Sequence, residues 1–242
     1  MNERYLSQLA VKEIFPSGQK KIESGSIVII GMGGIGTSVA EILTRMGVGR
    51  LIIVDDDVIE LTNLNRQALY REEDIGKKKV DIASSILQSI NSEVKIVAVH
   101  DRLTYERAPS LLSLGDIIVD ATDNYDARGI INKVAFKLKK MWVFSAVEGT
   151  FGYVKAIIPG KTSCLACFGY PDSGPGISCT AQGVIGPAVR AISAMAASLA
   201  VKLLIEGDDD GSLTYIDVWR KHFESLPIPR NPSCKVCGGK II

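Results

Sequence analysis

The apolar run Ile27-Val28-Ile29-Ile30 passes directly into Gly31-Met32-Gly33-Gly34-Ile35-Gly36, and this junction restricts the fold more than any other stretch of the chain. A short run with no polar member suits a parallel strand covered on both faces. Glycines at this spacing let backbone N–H groups approach a phosphate where a helix begins and its dipole favours negative charge. A helix is expected from Thr37 to Met46, closed by Gly47. A second apolar run, Leu51-Ile52-Ile53-Val54, follows and ends in Asp55-Asp56-Asp57. That is a βαβ unit with an acidic residue about 20 positions beyond the glycines, where it can accept ribose hydroxyls.

The alternation continues. Helices are expected over 77–90, 105–112 and 127–139, and strands over 94–99, 117–119 and 142–146, which predicts a doubly wound, mostly parallel α/β sheet. Near residue 150 the pattern changes. Residues 151–158 read as an antiparallel strand and 169–176 as a mobile loop. A small-residue helix is expected over 188–205, then an acidic turn, Asp208-Asp209-Asp210-Gly211, whose aspartates read as solvated. A last hairpin is expected over 212–218 and 221–226. At the other end, Arg4 to Ile14 reads as a short helix. The chain of 242 residues therefore divides into an N-terminal helical segment (1–25), a nucleotide-binding core (26–150) and an extension (151–242), all within one domain.

Composition removes several classes of function. With 28 basic and 27 acidic residues the net charge is +1, which lacks the basic excess of a nucleic-acid binder. The stretch from Gly186 to Glu206 is the best candidate for a membrane span. Arg190 and Lys202 interrupt it, and the uncharged run between them is short of the ~20 residues required, so a buried helix is expected and no membrane partner. The N-terminus lacks a signal-peptide core. Few cysteines, mostly paired as Cys-x-x-Cys, suit a cytoplasmic metal site better than an oxidised scaffold.

The glycine loop and Asp55 fit NAD and ATP equally well. The residues after them favour ATP. Asn63 and Arg66 lie just past Asp55, and Lys77 to Lys79 open the next helix. A site that moves a triphosphate needs such cations to stabilise developing charge. Alone, the lysine triplet would be a solvated turn; together with Asn63 and Arg66, Lys79 reads as a phosphate contact. Asp123 ends the fourth strand, where open α/β sheets place ligands. Its carboxylate fits Mg²⁺, and the Asp123-Asn124 pair fits a helix N-cap equally well.

Two pairs, Cys164/Cys167 and Cys234/Cys237, have the spacing of a four-thiolate zinc site. A redox dithiol is the alternative, though neither pair opens a helix after a strand. Cys179 stands outside both pairs. It is either an inert buried thiol or an exposed one activated by the helix that follows.

The combination of Gly-Met-Gly-Gly-Ile-Gly, Asp55-Asp56-Asp57, Asn63-Leu64-Asn65-Arg66-Gln67, Asp120-Ala121-Thr122-Asp123-Asn124 and two Cys-x-x-Cys pairs resembles the ubiquitin-activating superfamily in its small form. These are the single-domain adenylyltransferases of ThiF, MoeB and HesA type. The resemblance spans nearly the whole chain, from Arg4-Tyr5 to Cys237. It implies that Gly34, within the Gly31, Gly33 and Gly36 loop, lies under ATP and that Asp55 binds the ribose. Asn63, Arg66 and Lys79 would contact the phosphates, Asp123 would hold Mg²⁺ with Asn124 beside the nucleotide, and the four paired cysteines would bind Zn²⁺. The substrate would be a small β-grasp ubiquitin-like or sulfur-carrier protein ending in Gly-Gly. Its carboxylate would attack the α-phosphorus, giving an acyl-adenylate and pyrophosphate. Cys179 matches the loop position that takes the acyl group in thioester-forming members. A homodimer is implied, with a downstream conjugating or sulfur-donor protein. Relatives often carry a second arginine after the N-terminal Arg-Tyr, where this chain has Ser7. Two competing functions are weighed beside this one: an NAD-dependent oxidoreductase on the same fold, and a non-catalytic zinc-stapled nucleotide-binding module.

Overall fold

The computed structural model describes residues 3–15, 17–170 and 183–238. Eight strands form one sheet in the order β3-β2-β1-β4-β5-β6-β7-β8. They are β1 (Ser26–Ile30), β2 (Arg50–Val54), β3 (Lys95–Val99), β4 (Ile117–Asp120), β5 (Met141–Glu148), β6 (Phe151–Ile157), β7 (Leu213–Asp217) and β8 (His222–Leu226). The first five run parallel and the last three antiparallel. The doubly wound sheet and its antiparallel extension are therefore as the sequence predicts.

The helices are α1 (Leu6–Leu9), α2 (Gly18–Ser24), α3 (Gly34–Met46), α4 (Lys79–Ile90), α5 (Ala108–Leu112), α6 (Tyr125–Lys137) and α7 (Gly186–Glu206). Two apolar layers form. One packs α3, α4 and α7 against the sheet around Ile27, Ile29, Leu51 and Ile53. The other packs α5 and α6 around Val28, Ile30, Ile52 and Trp142. The central strands are apolar throughout because successive residues feed opposite layers and both layers are dry. Helix α7 is long and apolar enough to cross a membrane, yet half of its apolar window is buried. Val189, Ile192, Ala196 and Ala200 sit in the first layer, as expected of a core helix.

Three expectations need correction. The single helix over Arg4 to Ile14 is a short 3₁₀ turn and α1, followed by turns, and α2 was not foreseen. Tyr5 and Ile14 are both buried, but nine positions is two and a half helical turns, which would aim them in opposite directions. The chain must break between them to bury both. The expected helix over 105–112 begins only at Ala108, with Pro109 in its first turn, where proline needs no donor partner. The acidic turn is not fully solvated either. Asp209 is buried, pairs with Lys202 at 2.8 Å and accepts the Gly211 N–H at 2.8 Å.

The loop after β1 shows why glycine is required. Gly31 has a φ of +95°, and a Cβ there would lie 2.8 Å from the Ala121 carbonyl oxygen. At Gly36 a Cβ would fall 1.9 Å from the Gly31 oxygen. Gly36→Ala is accordingly expected to cost about 3 kcal/mol, at the upper end for overpacking, read as a lowered denaturant midpoint. At Gly33 the nearest atom to an added Cβ is Gln67 Nε2 at 3.8 Å, so Gly33→Ala should cost less than about 1 kcal/mol. Equal losses in the two variants would refute this account of the loop.

Candidate functional site

Strands β1 and β4 are neighbours whose helices leave on opposite faces, so a crevice opens at their carboxyl ends. It forms a cavity of about 900 Å³. Gly31, Gly33 and Gly34 of the glycine loop, Asp55, Asn63, Arg66, Lys79, Asp123 and Asn124 all line it. Gly36 does not; it packs against the Gly31 carbonyl instead. One site thus gathers residues from Gly31 to Asn124.

The N-terminus of the 13-residue helix α3 points its first amides at this cavity from Gly33 and Gly34. Asp55 ties the loop to β2. Its Oδ2 accepts the Met32 N–H at 2.6 Å and its Oδ1 the Asp57 N–H at 2.8 Å. Burial pushes the Asp55 carboxyl above its ordinary pKa, opposed by the Lys79 charge and by these two hydrogen bonds. Each oxygen keeps lone-pair capacity for a ribose hydroxyl. Beneath it, the Tyr70 hydroxyl donates within reach of the Met32 carbonyl at 2.9 Å and the Lys79 carbonyl at 3.3 Å. Burial, and then the charges of Asp55 and Asp57, hold that phenol protonated.

The cations are placed differently. Lys79 is buried, and its Nζ donates to Asp57 Oδ2 at 2.7 Å. Arg66 is held by the Thr62 carbonyl at 2.9 Å and by Asn65 Oδ1 at 3.0 Å. Asn63 is buried, and its Oδ1 accepts the Glu60 N–H at 3.1 Å. Across the crevice, Asn124 caps α6 by accepting the Ala127 N–H at 2.8 Å. The capping alternative for the Asp123-Asn124 pair thus belongs to Asn124. Asp123 is exposed, and among the described residues no hydrogen bond or ion pair engages its carboxylate. An exposed carboxylate beside this cavity has the donor chemistry for Mg²⁺.

Two buried residues of the site escaped the sequence reading. Asp120 is fully buried, and burial raises its pKa against the opposing charge of Arg128. Arg128, on α6, is buried beside it and lines the cavity. The sequence offered only a faint signal, an arginine four positions after the residue that caps its helix.

In the layer of α5 and α6, Cys164, Cys167, Cys234 and Cys237 converge, with all four sulfurs within 4.8 Å of one another. Separations of 3.9 Å, 3.6 Å and 3.2 Å bracket the ~3.8 Å edge of a tetrahedral zinc–thiolate site. The Asn231 and Val236 N–H groups point at Cys167 and Cys234 sulfurs, each at 3.5 Å. Amides so placed stabilise thiolates and not thiols. The four residues fit Zn²⁺. Cys179 lies outside the described residues, as does most of the loop expected over 169–176.

A doubly wound sheet with a polar, cation-bearing crevice at its switch point and a four-thiolate cluster on its extension defines a nucleotide-binding α/β protein. The ThiF family model matches residues 5–236, and the chain belongs to the ThiF family. It is 37% identical over 246 residues to the sulfur carrier protein ThiS adenylyltransferase of Bacillus subtilis, covering 99% of this chain and 73% of that protein. It is 35% identical to the sulfur carrier protein adenylyltransferase of Thermus thermophilus, covering 98% and 90%. Among solved structures, E. coli MccB with ATP superposes with a TM-score of 0.85 at 25% identity, covering 98% of this chain and 74% of that one. The oxidoreductase alternative finds no support among these relatives.

Removing the metal tests the cysteine cluster. Metal analysis should find about one zinc per chain, and Cys234→Ser should lose it together with at least about 2 kcal/mol of stability. A metal-free wild-type protein of unchanged melting temperature would remove the staple.

Proposed function

We propose that this protein is an ATP-dependent adenylyltransferase that activates the C-terminal carboxylate of a small ubiquitin-like or sulfur-carrier protein. The carrying observation is the convergence, in one crevice, of the α3 N-terminus, the cations Arg66 and Lys79, and the exposed carboxylate of Asp123, which no hydrogen bond or ion pair engages among the described residues. A carrier carboxylate oxygen forms a bond to the α-phosphorus of ATP. The bond from that phosphorus to its bridging oxygen breaks, and pyrophosphate leaves with the electron pair. The acyl-adenylate remains.

Each residue has a physical task. The Gly33–Gly34 amides and the α3 dipole stabilise phosphate charge. Asp55 orients the ribose. Lys79 is held by Asp57 and exchanges that partner for a phosphate oxygen, and Arg66 and Asn63 supply further donors. Asp123 is the ligand for Mg²⁺, which when bound neutralises phosphate charge. Cys179 receives the acyl group from the adenylate as a thioester, releasing AMP, and a sulfur-donor or conjugating protein consumes the product. Reduced thiolates at the zinc cluster support a cytoplasmic setting.

The protein acts as a homodimer in this reading, supported by the exposed apolar side chains of Leu6, Val11 and Phe15 on the N-terminal segment. Arg4, which would stand in for the arginine replaced by Ser7, donates to the Ile90 carbonyl of its own chain at 3.1 Å.

ATP–pyrophosphate exchange with Gly-Gly-ending carriers tests the proposal. Asp123→Ala is expected to abolish exchange while changing stability by less than about 0.5 kcal/mol, and Arg66→Ala to slow it about a hundredfold. Exchange undiminished in Asp123→Ala removes that residue from the mechanism. Nucleotide binding without turnover for any carrier favours the non-catalytic module. Cys179→Ala should keep full exchange and lose a reductant-sensitive carrier adduct visible on non-reducing gels; if wild type forms no such adduct, the thioester step is wrong.

A further inference from the structure

The turn that carries Asp123 is held from beneath by the buried side chain of Asp120. Asp120 Oδ1 accepts the Thr122 N–H at 3.0 Å and its hydroxyl at 2.7 Å. Its other oxygen, Oδ2, is buried without a hydrogen bond among the described residues and faces Arg128 Nε at 3.8 Å. The Arg128 fork then reaches outward. Its Nη2 donates to the Thr122 carbonyl at 2.7 Å, and its Nη1 to the Tyr170 hydroxyl at 2.5 Å. The guanidinium lies 5.5 Å from the centre of the Phe144 ring and 5.9 Å from that of Tyr170. The peptide carbonyl that Arg128 grips is the one bonded to the Asp123 nitrogen. Among the described residues, no hydrogen bond or ion pair to Asp123 fixes the direction of its carboxylate.

We propose that Arg128 is a positioning residue: set between buried Asp120 and the Thr122 carbonyl, its planar fork fixes the 120–124 turn and thereby aims Asp123 at the cation of the bound nucleotide. This rests on the assignment of Asp123 as the Mg²⁺ ligand. Charge alone would not suffice. A buried cation anywhere near Asp120 would neutralise it, whereas holding the Thr122 carbonyl with Nη2 while Nη1 reaches Tyr170 and Nε faces Asp120 needs nitrogens at fixed angles. Lysine carries the charge without that fork. Residues that orient a metal ligand from behind typically change metal affinity by 10–100-fold when replaced.

The test reads binding and not turnover. Calorimetry with a non-hydrolysable ATP analogue is done once in excess EDTA and once in excess Mg²⁺. Wild type should bind more tightly with Mg²⁺. Arg128→Lys should keep its affinity in EDTA and lose about tenfold in Mg²⁺. Equal losses in both buffers, as a general packing defect would give, overturn the proposal, and so does no loss in either. Asp123→Asn, measured alongside, separates the two assignments. If it keeps the full Mg²⁺ gain, or if wild type has none, the reading of Asp123 as ligand fails. If Asp123→Asn loses the gain and Arg128→Lys retains it, only the role of Arg128 is wrong. Should Arg128→Lys not fold, Asp120→Asn takes its place. It keeps an acceptor for Thr122 and removes the charge facing Nε, so a smaller, Mg²⁺-specific loss is expected, and an unchanged gain overturns the proposal.

Discussion

Three segments of backbone meet at the junction of β1 and β4: the Gly31 peptide, the first turn of α3 at Gly36 and the Ala121 carbonyl. No room for a β-carbon remains at Gly31 or Gly36. This approach brings the amino end of α3 to the edge of the sheet, so that its unpaired amides face the crevice and not another helix. Everything else in the site is arranged around that point. Asp55 reaches back to Met32 from β2, Tyr70 props the same residue from below, and the 120–124 turn closes the opposite wall. If the junction loosened, the pocket would lose its anion-binding wall before any charged residue was touched.

Much of this was legible because both periodicities are strong. The apolar runs of β1, β2 and β4 have no polar interruption, and the glycine spacing between the first two admits few alternatives. The cysteine pairs were legible for another reason: their spacing is itself a geometric statement, independent of the fold between them. The N-terminal segment was not legible. Helical propensity over Arg4 to Ile14 is a local quantity, while the break that buries both Tyr5 and Ile14 is a demand of the docking surface. Asp209 failed similarly. An Asp-Asp-Asp-Gly turn reads as solvated in any sequence, and only the structure shows Lys155 on β6 buried opposite it.

Lys155 explains why that turn folds inward. Burial pushes its ammonium down to about 8, and Asp209 and Asp210 act in the opposite sense. The ammonium donates to the Gly211 carbonyl, while Asp209 is shared with Lys202. A buried charge left without such partners costs several kcal/mol, so the acidic turn is recruited as its counter-charge. The turn joins α7 to β7, and the cysteine cluster lies in the same extension. The extension is thus fixed at two places, by an ionic cluster at one and by four sulfurs at the other.

The nucleotide crevice uses polar groups on a different principle. In the extension, charges are mutually satisfied. In the crevice, the side chains around Asp123 are engaged while, among the described residues, its own carboxylate makes no hydrogen bond or ion pair. Asp120, Thr122 and Asn124 are committed to one another, to Arg128 or to the α6 cap, and Lys79 is committed to an acidic neighbour that sits at the solvent boundary. A carboxylate without partners is inexpensive where water reaches it, and only the committed residues around it make its direction definite. The sequence motif Asp-Ala-Thr-Asp-Asn therefore treats its two aspartates differently: the first is buried and holds the frame, and the second is exposed at the crevice. Two identical residue types three positions apart acquire opposite roles through burial alone, and the arginine on α6 is what allows the first to remain buried.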